Sequence, residues 1–244
     1  MANPLTAAHA QLCPAATGQA RRLCLRSRHG AGVAAMSTPP FPFDSGGQQR
    51  IAARLGIWIF LGTELMFFGP LFVGYQFVRF TDTAGLTLAA RHTDLWLGTA
   101  NTAVLMTSSL CMALAVAATE AGNRRGAVRL LWAVAALGAT FLVIKGVEYA
   151  KDIASGFVPG NAAGTGGHAG QMFRLLYYAM TGLHAVHLCV GIALVLGFAM
   201  AIRAGRHASA NLARLEIVGL YWHFVDVIWL FLFPILYLPG RSAT

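Results

Sequence analysis

The sequence predicts an all-α membrane protein, a bundle of five transmembrane helices, and three observations carry that expectation. The 244 residues are 57% hydrophobic and only 11% charged, whereas a soluble domain carries about 25% charged residues. Five apolar runs of spanning length are separated by polar or glycine-rich segments. The last run, Leu220–Leu238 (LYWHFVDVIWLFLFPILYL), is almost wholly apolar and aromatic yet holds His223 and Asp226 at its middle. At about 1.5 Å per residue it is long enough to cross the hydrocarbon core. His and Asp are costly at that depth, so they should face protein rather than lipid. The net charge of +9 fits the same class, because Lys and Arg collect in the cytoplasmic loops of membrane proteins. No nucleic-acid partner is expected.

The chain begins with a distinct segment. Residues 1–35 hold Arg21, Arg22, Arg26 and Arg28 with no acidic residue, a composition compatible with an organellar transit peptide. They lack the apolar core of a secretory signal. The favoured expectation is that translation starts near Met36 and that residues 1–49 form a disordered or mis-started tail, ending in the Pro/Gly/Ser-rich Ser37–Gln49. Residues 50–240 form the membrane domain.

The first span, 55–78, opens after Arg54 and holds one carboxylate, Glu64. The second, 95–119, carries no charge, and its marked polar positions are Asn101, Thr102 and the Ser108–Ser109 pair. A short basic loop with Arg124, Arg125 and Arg129 leads into the third, 130–147, whose end carries Lys145, Glu148 and Tyr149. A glycine-rich loop, 150–170, follows. It has no GK[ST] sequel and reads as a connector, not a phosphate loop. The fourth span, 175–202, holds His184 and His187. A second basic loop, with Arg203, Arg206 and Arg214, precedes the fifth, 215–238. Arginines in these two short loops place the N-terminus inside and the C-terminus outside.

Glu64 lies near mid-membrane, where hydrocarbon disfavours the charged form, so it is expected to be protonated or paired. It reads equally as a proton-handling acid or as glue between helices. His184 and His187 share one face of a helix, and His223 lies at similar depth. Their expected role is interhelical hydrogen bonding, with His223 and Asp226 sharing a polar seam. Haem or copper ligation is the minor reading. Lys145 is expected to snorkel outward and pair with Glu148. Cys13, Cys24, Cys111 and Cys189 form no CxxC pair, so no metal or redox motif is visible. No catalytic residue and no metal ligand is assigned. A stand-alone dihaem cytochrome and a small transporter are the competing classes. The latter is disfavoured by the lack of an inverted repeat or matched broken helices.

Four stretches then identify a relative. Trp58–Phe72 (WIFLGTELMFFGPLF) resembles the buried-glutamate helix of subunit III of the haem-copper oxidases, the cytochrome c oxidase type. Phe141–Ile153 (FLVIKGVEYAKDI) resembles that family's E-Y helix end, with Lys145 where many members have Gln. Tyr177–Gly191 (YYAMTGLHAVHLCVG) and Tyr221–Leu238 (YWHFVDVIWLFLFPILYL) are similar to its two-histidine helix and its closing helix. The family has a seven-helix form, and the five spans here look like the five-helix bacterial form. The resemblance implies a non-catalytic subunit that supports assembly, proton uptake and sustained turnover in aerobic electron transport. It implies catalytic subunit I, subunit II and membrane lipids as partners, with haem and copper in the partner subunit and none bound here. It also implies a multi-pass protein of the bacterial inner membrane, with the mitochondrial inner membrane as second choice. Glu64 becomes the proton- or lipid-related residue. His184, His187, His223, Asp226, Glu148 and Tyr149 become a structural seam or subunit contact. Subunit III of a quinol oxidase and the subunit III-like protein of nitric oxide reductase are the alternatives. The latter's ending is like Phe233–Leu238.

Overall fold

A computed structural model describes residues 46–90, 93–158, 167–205 and 208–239. The chain divides into units 1–49 and 50–244, and of the first only residues 46–49, the opening turn of a helix, are described. The expectations for residues 1–45, for Met36 as a start, and for Cys13, Cys24 and Arg206 lie outside the described residues.

The described residues form six helices: α1 (Gly46–Thr81), α2 (Thr83–Ala90), α3 (Leu95–Glu120), α4 (Arg124–Ala154), α5 (Gly167–Arg203) and α6 (Ala208–Tyr237). Five of them, all but the short α2, are long and apolar enough to cross a membrane. The helices overrun several sequence-based boundaries. Arg124, Arg129 and Arg214 are helical rather than in loops, and α4 continues to Ala154 beyond the expected end at 147. Charged residues within a turn or two of a membrane end can reach water, so hydropathy marks the lipid-facing length and not the helix length. Helix α2 occupies a segment expected to be a loop. Between α3 and α4 the chain turns in three residues. Gly122 adopts φ 73°, the left-handed region that suits glycine, and the Asn123 side chain caps α4 by accepting from the Gly126 N–H at 3.0 Å.

Helices α3, α4, α5 and α6 form the packed core, with α2 against α5. The buried positions of α3 are Gly98, Asn101, Leu105, Ser108, Met112 and Ala115. That alternating three-and-four spacing gives a continuous stripe along one face. Helix α6 is the most enclosed of the spans, because Trp222, Trp229 and Tyr237 all point inward and are buried. Small residues make room for them. A Cβ on Gly138 would lie 2.9 Å from the Trp222 ring, one on Gly191 would lie 3.1 Å from it, and one on Gly98 would lie 2.9 Å from Tyr237. Trp222 Nε1 donates to Ser108 at 3.2 Å, and Trp229 Nε1 donates to Thr102 at 3.1 Å.

Helix α1 is different. It buries only every seventh residue, at Leu61, Phe68 and Tyr75, and leans on α5 and α6 through long side chains. Its contacts include Phe60 with Tyr221, Phe68 with His187 and Tyr75 with Phe173. The Tyr75 hydroxyl donates to the Ile235 carbonyl at 2.6 Å. That carbonyl has no helical donor four residues on, because position 239 is Pro239 and proline lacks an N–H.

Candidate functional site

The first constellation joins α1 to α5 inside the membrane. Glu64 Oε2 lies 3.0 Å from His187 Nε2, with both side chains largely buried. His187 Nδ1 lies 2.9 Å from the Leu183 carbonyl. A carbonyl oxygen only accepts, so Nδ1 carries a proton. Nε2 then either accepts from a protonated Glu64 or, as part of an imidazolium, donates to a carboxylate. Either way a hydrogen bond joins the carboxyl to Nε2. Glu64 is therefore paired, one of its two expected states. This bond and the Phe68–His187 ring contact at 5.5 Å are the mid-span tie of the thinly packed α1.

The second constellation lies where α4, α5 and α6 meet, two turns before the end of α4. Lys145 does not snorkel. Its residue is 2% exposed, and Nζ donates to Glu148 at 3.0 Å, Tyr177 at 3.1 Å and Tyr237 at 2.5 Å. All three ammonium protons are used, which outcompetes a route to water blocked by Tyr149, Trp229 and the two tyrosines around it. The expected pairing with Glu148 is present. Glu148 Oε1 accepts from Tyr177 at 3.0 Å and from Tyr237 at 2.6 Å. Tyr177 also reaches Asp152 at 3.1 Å, so its single hydroxyl proton serves one of two carboxylates. Tyr149 stands beside this group, its hydroxyl 2.5 Å from that of Thr181. Sequence reasoning missed Tyr177, Tyr237 and Asp152. Signals existed in two of them: Asp152 follows Glu148 by one helical turn, and a tyrosine inside an apolar helix brings a hydroxyl that needs a partner.

The histidine expectations need two corrections. His184 makes no interhelical hydrogen bond: both ring nitrogens are buried without a partner among the described residues. The ring is instead boxed by Phe141 at 5.5 Å and Trp229 at 5.2 Å. Its neighbour His187, three residues on, turns to α1. His223 and Asp226 do not bond each other either. His223 Nδ1 lies 2.6 Å from Ser109 Oγ on α3, and both Asp226 oxygens are buried without a hydrogen bond among the described residues. A spacing of three puts two side chains on one side of a helix but leaves each free to meet a different neighbour.

His184 and His187 present no open ring nitrogen among the described residues. An axial imidazole needs a ring nitrogen facing the iron, yet both His187 nitrogens are engaged and His184 is enclosed by aromatic rings. Among the described residues no three His, Cys, Asp or Glu side chains gather as a metal site.

At the end of the bundle where α1 and α6 begin, Arg54 and Glu216 pair at 2.7 Å. Below them a cleft of about 480 Å³ opens between α1, α3 and α6, lined by Trp58, Val116, Leu220 and His223 among others.

Comparison with known proteins agrees with this geometry. The family described as cytochrome c oxidase subunit III matches residues 47–241. Cytochrome c oxidase subunit 3 of Thermostichus vulcanus is 32% identical over 188 residues, covering 77% of this chain and 87% of its own. Quinol oxidase subunit 3 of Bacillus spizizenii is 30% identical over 191 residues, covering 78% and 88%. The heme-copper oxidase subunit I+III of Aeropyrum pernix is 30% identical over 205 residues, which are 82% of this chain and 23% of that protein. A five-span bundle tied by a buried Glu–His pair, matched along nearly its whole described length, belongs to the cytochrome c oxidase subunit III family, the non-catalytic subunit of haem-copper oxidases.

Proposed function

We propose that this chain sits beside subunits I and II of a terminal oxidase in the bacterial inner membrane, supporting assembly, proton uptake and sustained turnover. It holds no haem or copper and has no active site of its own, and the redox centres belong to the partner. The enclosed His184 and the fully engaged His187 support that reading. The N-terminus faces the cytoplasm and the C-terminus the outside, as the arginines beside the α3–α4 and α5–α6 connections favour.

One observation carries the functional part: the hydrogen bond between the Glu64 carboxyl and His187 Nε2, at mid-span, on the helix least committed to the bundle. Glu64→Gln separates its two roles. The amide still donates to His187 Nε2 and keeps the tie, but it cannot release a proton. The variant is expected to assemble and to keep electron transfer. It should lose proton translocation or inactivate faster during turnover. Reconstituted wild-type and variant complexes, compared for both, test this; equal values in both would reduce Glu64 to helix glue.

A further inference from the structure

Asp226 is a buried polar group that the preceding roles do not use. It is 5% exposed and neither oxygen has a hydrogen bond among the described residues. A buried polar group left unpaired is costly, and more so if charged. The Ser109 hydroxyl, on the neighbouring α3, acts on this carboxyl, and its hydrogen bond is to His223 Nδ1 at 2.6 Å. His223 in turn lines the cleft below the Arg54–Glu216 pair. With Nδ1 engaged, Nε2 is the ring nitrogen left to meet the cleft. Along α6, His223 lies about 10 Å and Asp226 about 15 Å in from Glu216, at about 1.5 Å per residue. The cleft, His223 and Asp226 thus lie at increasing depth along α6, with the Ser109 hydroxyl bonded to the histidine.

We propose that Asp226 is a proton-binding site filled from this cleft through His223 and Ser109. A proton from water in the cleft adds to His223 Nε2 and makes an imidazolium. The Nδ1 proton passes to Ser109 Oγ as the serine hydroxyl proton passes to the Asp226 carboxylate. One proton enters, the carboxyl becomes neutral, and His223 is left neutral with its proton on Nε2. Rotation of the serine hydroxyl and return of the histidine tautomer reset the relay. Charged and titratable groups on the surrounding helices include Arg54, Glu64 and Tyr75 on α1, Cys111 on α3, Lys145, Glu148, Tyr149 and Asp152 on α4, and Arg174, Tyr177, His184 and His187 on α5. Glu216 and His223 lie on α6 itself. None of them hydrogen bonds to Asp226, which leaves Ser109, bonded to His223, as the group to hand it a proton.

The site is separate from the Glu64–His187 pair, and its test reads the carboxyl directly, independent of oxygen turnover. Infrared spectra of the native complex, with aspartate labelled by carbon-13, are recorded against pH and after transfer to heavy water. Wild type is expected to show a protonated-carboxyl band that grows as pH falls and is absent from Asp226→Asn. Ser109→Ala should keep the band but slow its shift in heavy water at least tenfold. If Asp226→Asn fails to assemble, Asp226→Glu, which moves the band out of the labelled set, assigns it instead. No Asp226-dependent band at any pH, or an equally fast shift in Ser109→Ala, overturns the proposal.

Discussion

Residues inside this bundle do unequal work, and substitutions should separate them. His184 is a polar ring in an apolar box, with no hydrogen-bond partner among the described residues. Replacing a buried polar group by an apolar one of like shape is nearly neutral or stabilising. His184→Phe is therefore expected to leave the subunit in the complex with an unchanged or raised thermal midpoint, and with the haem content unchanged. Lys145 is the opposite case. Lys145→Met would strand Glu148 and Asp152 as buried carboxylates around two tyrosines. Breaking a buried pair from one side costs about 3–5 kcal/mol. The fraction of subunit retained in detergent should fall sharply, and Lys145→Met with Glu148→Gln should recover part of it. Sequence reading found Glu64, His187 and the Lys145–Glu148 pair because depth and spacing alone constrain them. It misjudged Lys145, since snorkelling depends on whether a path to water exists, and three aromatic rings from two other helices close that path. It also joined His223 to Asp226, because spacing within one helix says nothing of what Ser109 on another offers.

At the scale of elements, the contrast between α6 and α1 is instructive. Helix α6 places large rings where Gly98, Gly138 and Gly191 leave no Cβ. Gly138→Leu should overpack Trp222, whose indole is pinned to Ser108. Overpacking of this kind costs typically about 1–3 kcal/mol, and a lowered thermal midpoint of the complex would record it. Gly197→Leu, at a position with open space around its Cβ, should be silent in the same assay. The five spans themselves were legible in the sequence, because twenty-odd apolar residues are read by length and hydropathy. The small-residue seats for Trp222 and the short α2 were not. A glycine in a membrane helix carries no sign of which ring lies against it, and eight apolar residues do not announce a helix.

For the whole molecule, the proposed orientation can be read from two exposed positions on opposite faces. With the native cysteines replaced, Ala84→Cys should react with an impermeant thiol reagent added outside intact cells. Ala121→Cys, in the α3–α4 turn, should react only after lysis. Reversed labelling would invert the topology. The central claim is that this bundle is a metal-free support bound to a catalytic partner. Its most direct test is isolation of the native complex through a tag on this chain, followed by separation of the subunits and metal analysis of each. The account predicts that a haem- and copper-bearing oxidase subunit travels with the tag and that the separated chain carries neither haem nor copper. Stoichiometric haem or copper in the separated chain, or a complex without an oxidase subunit, would contradict it.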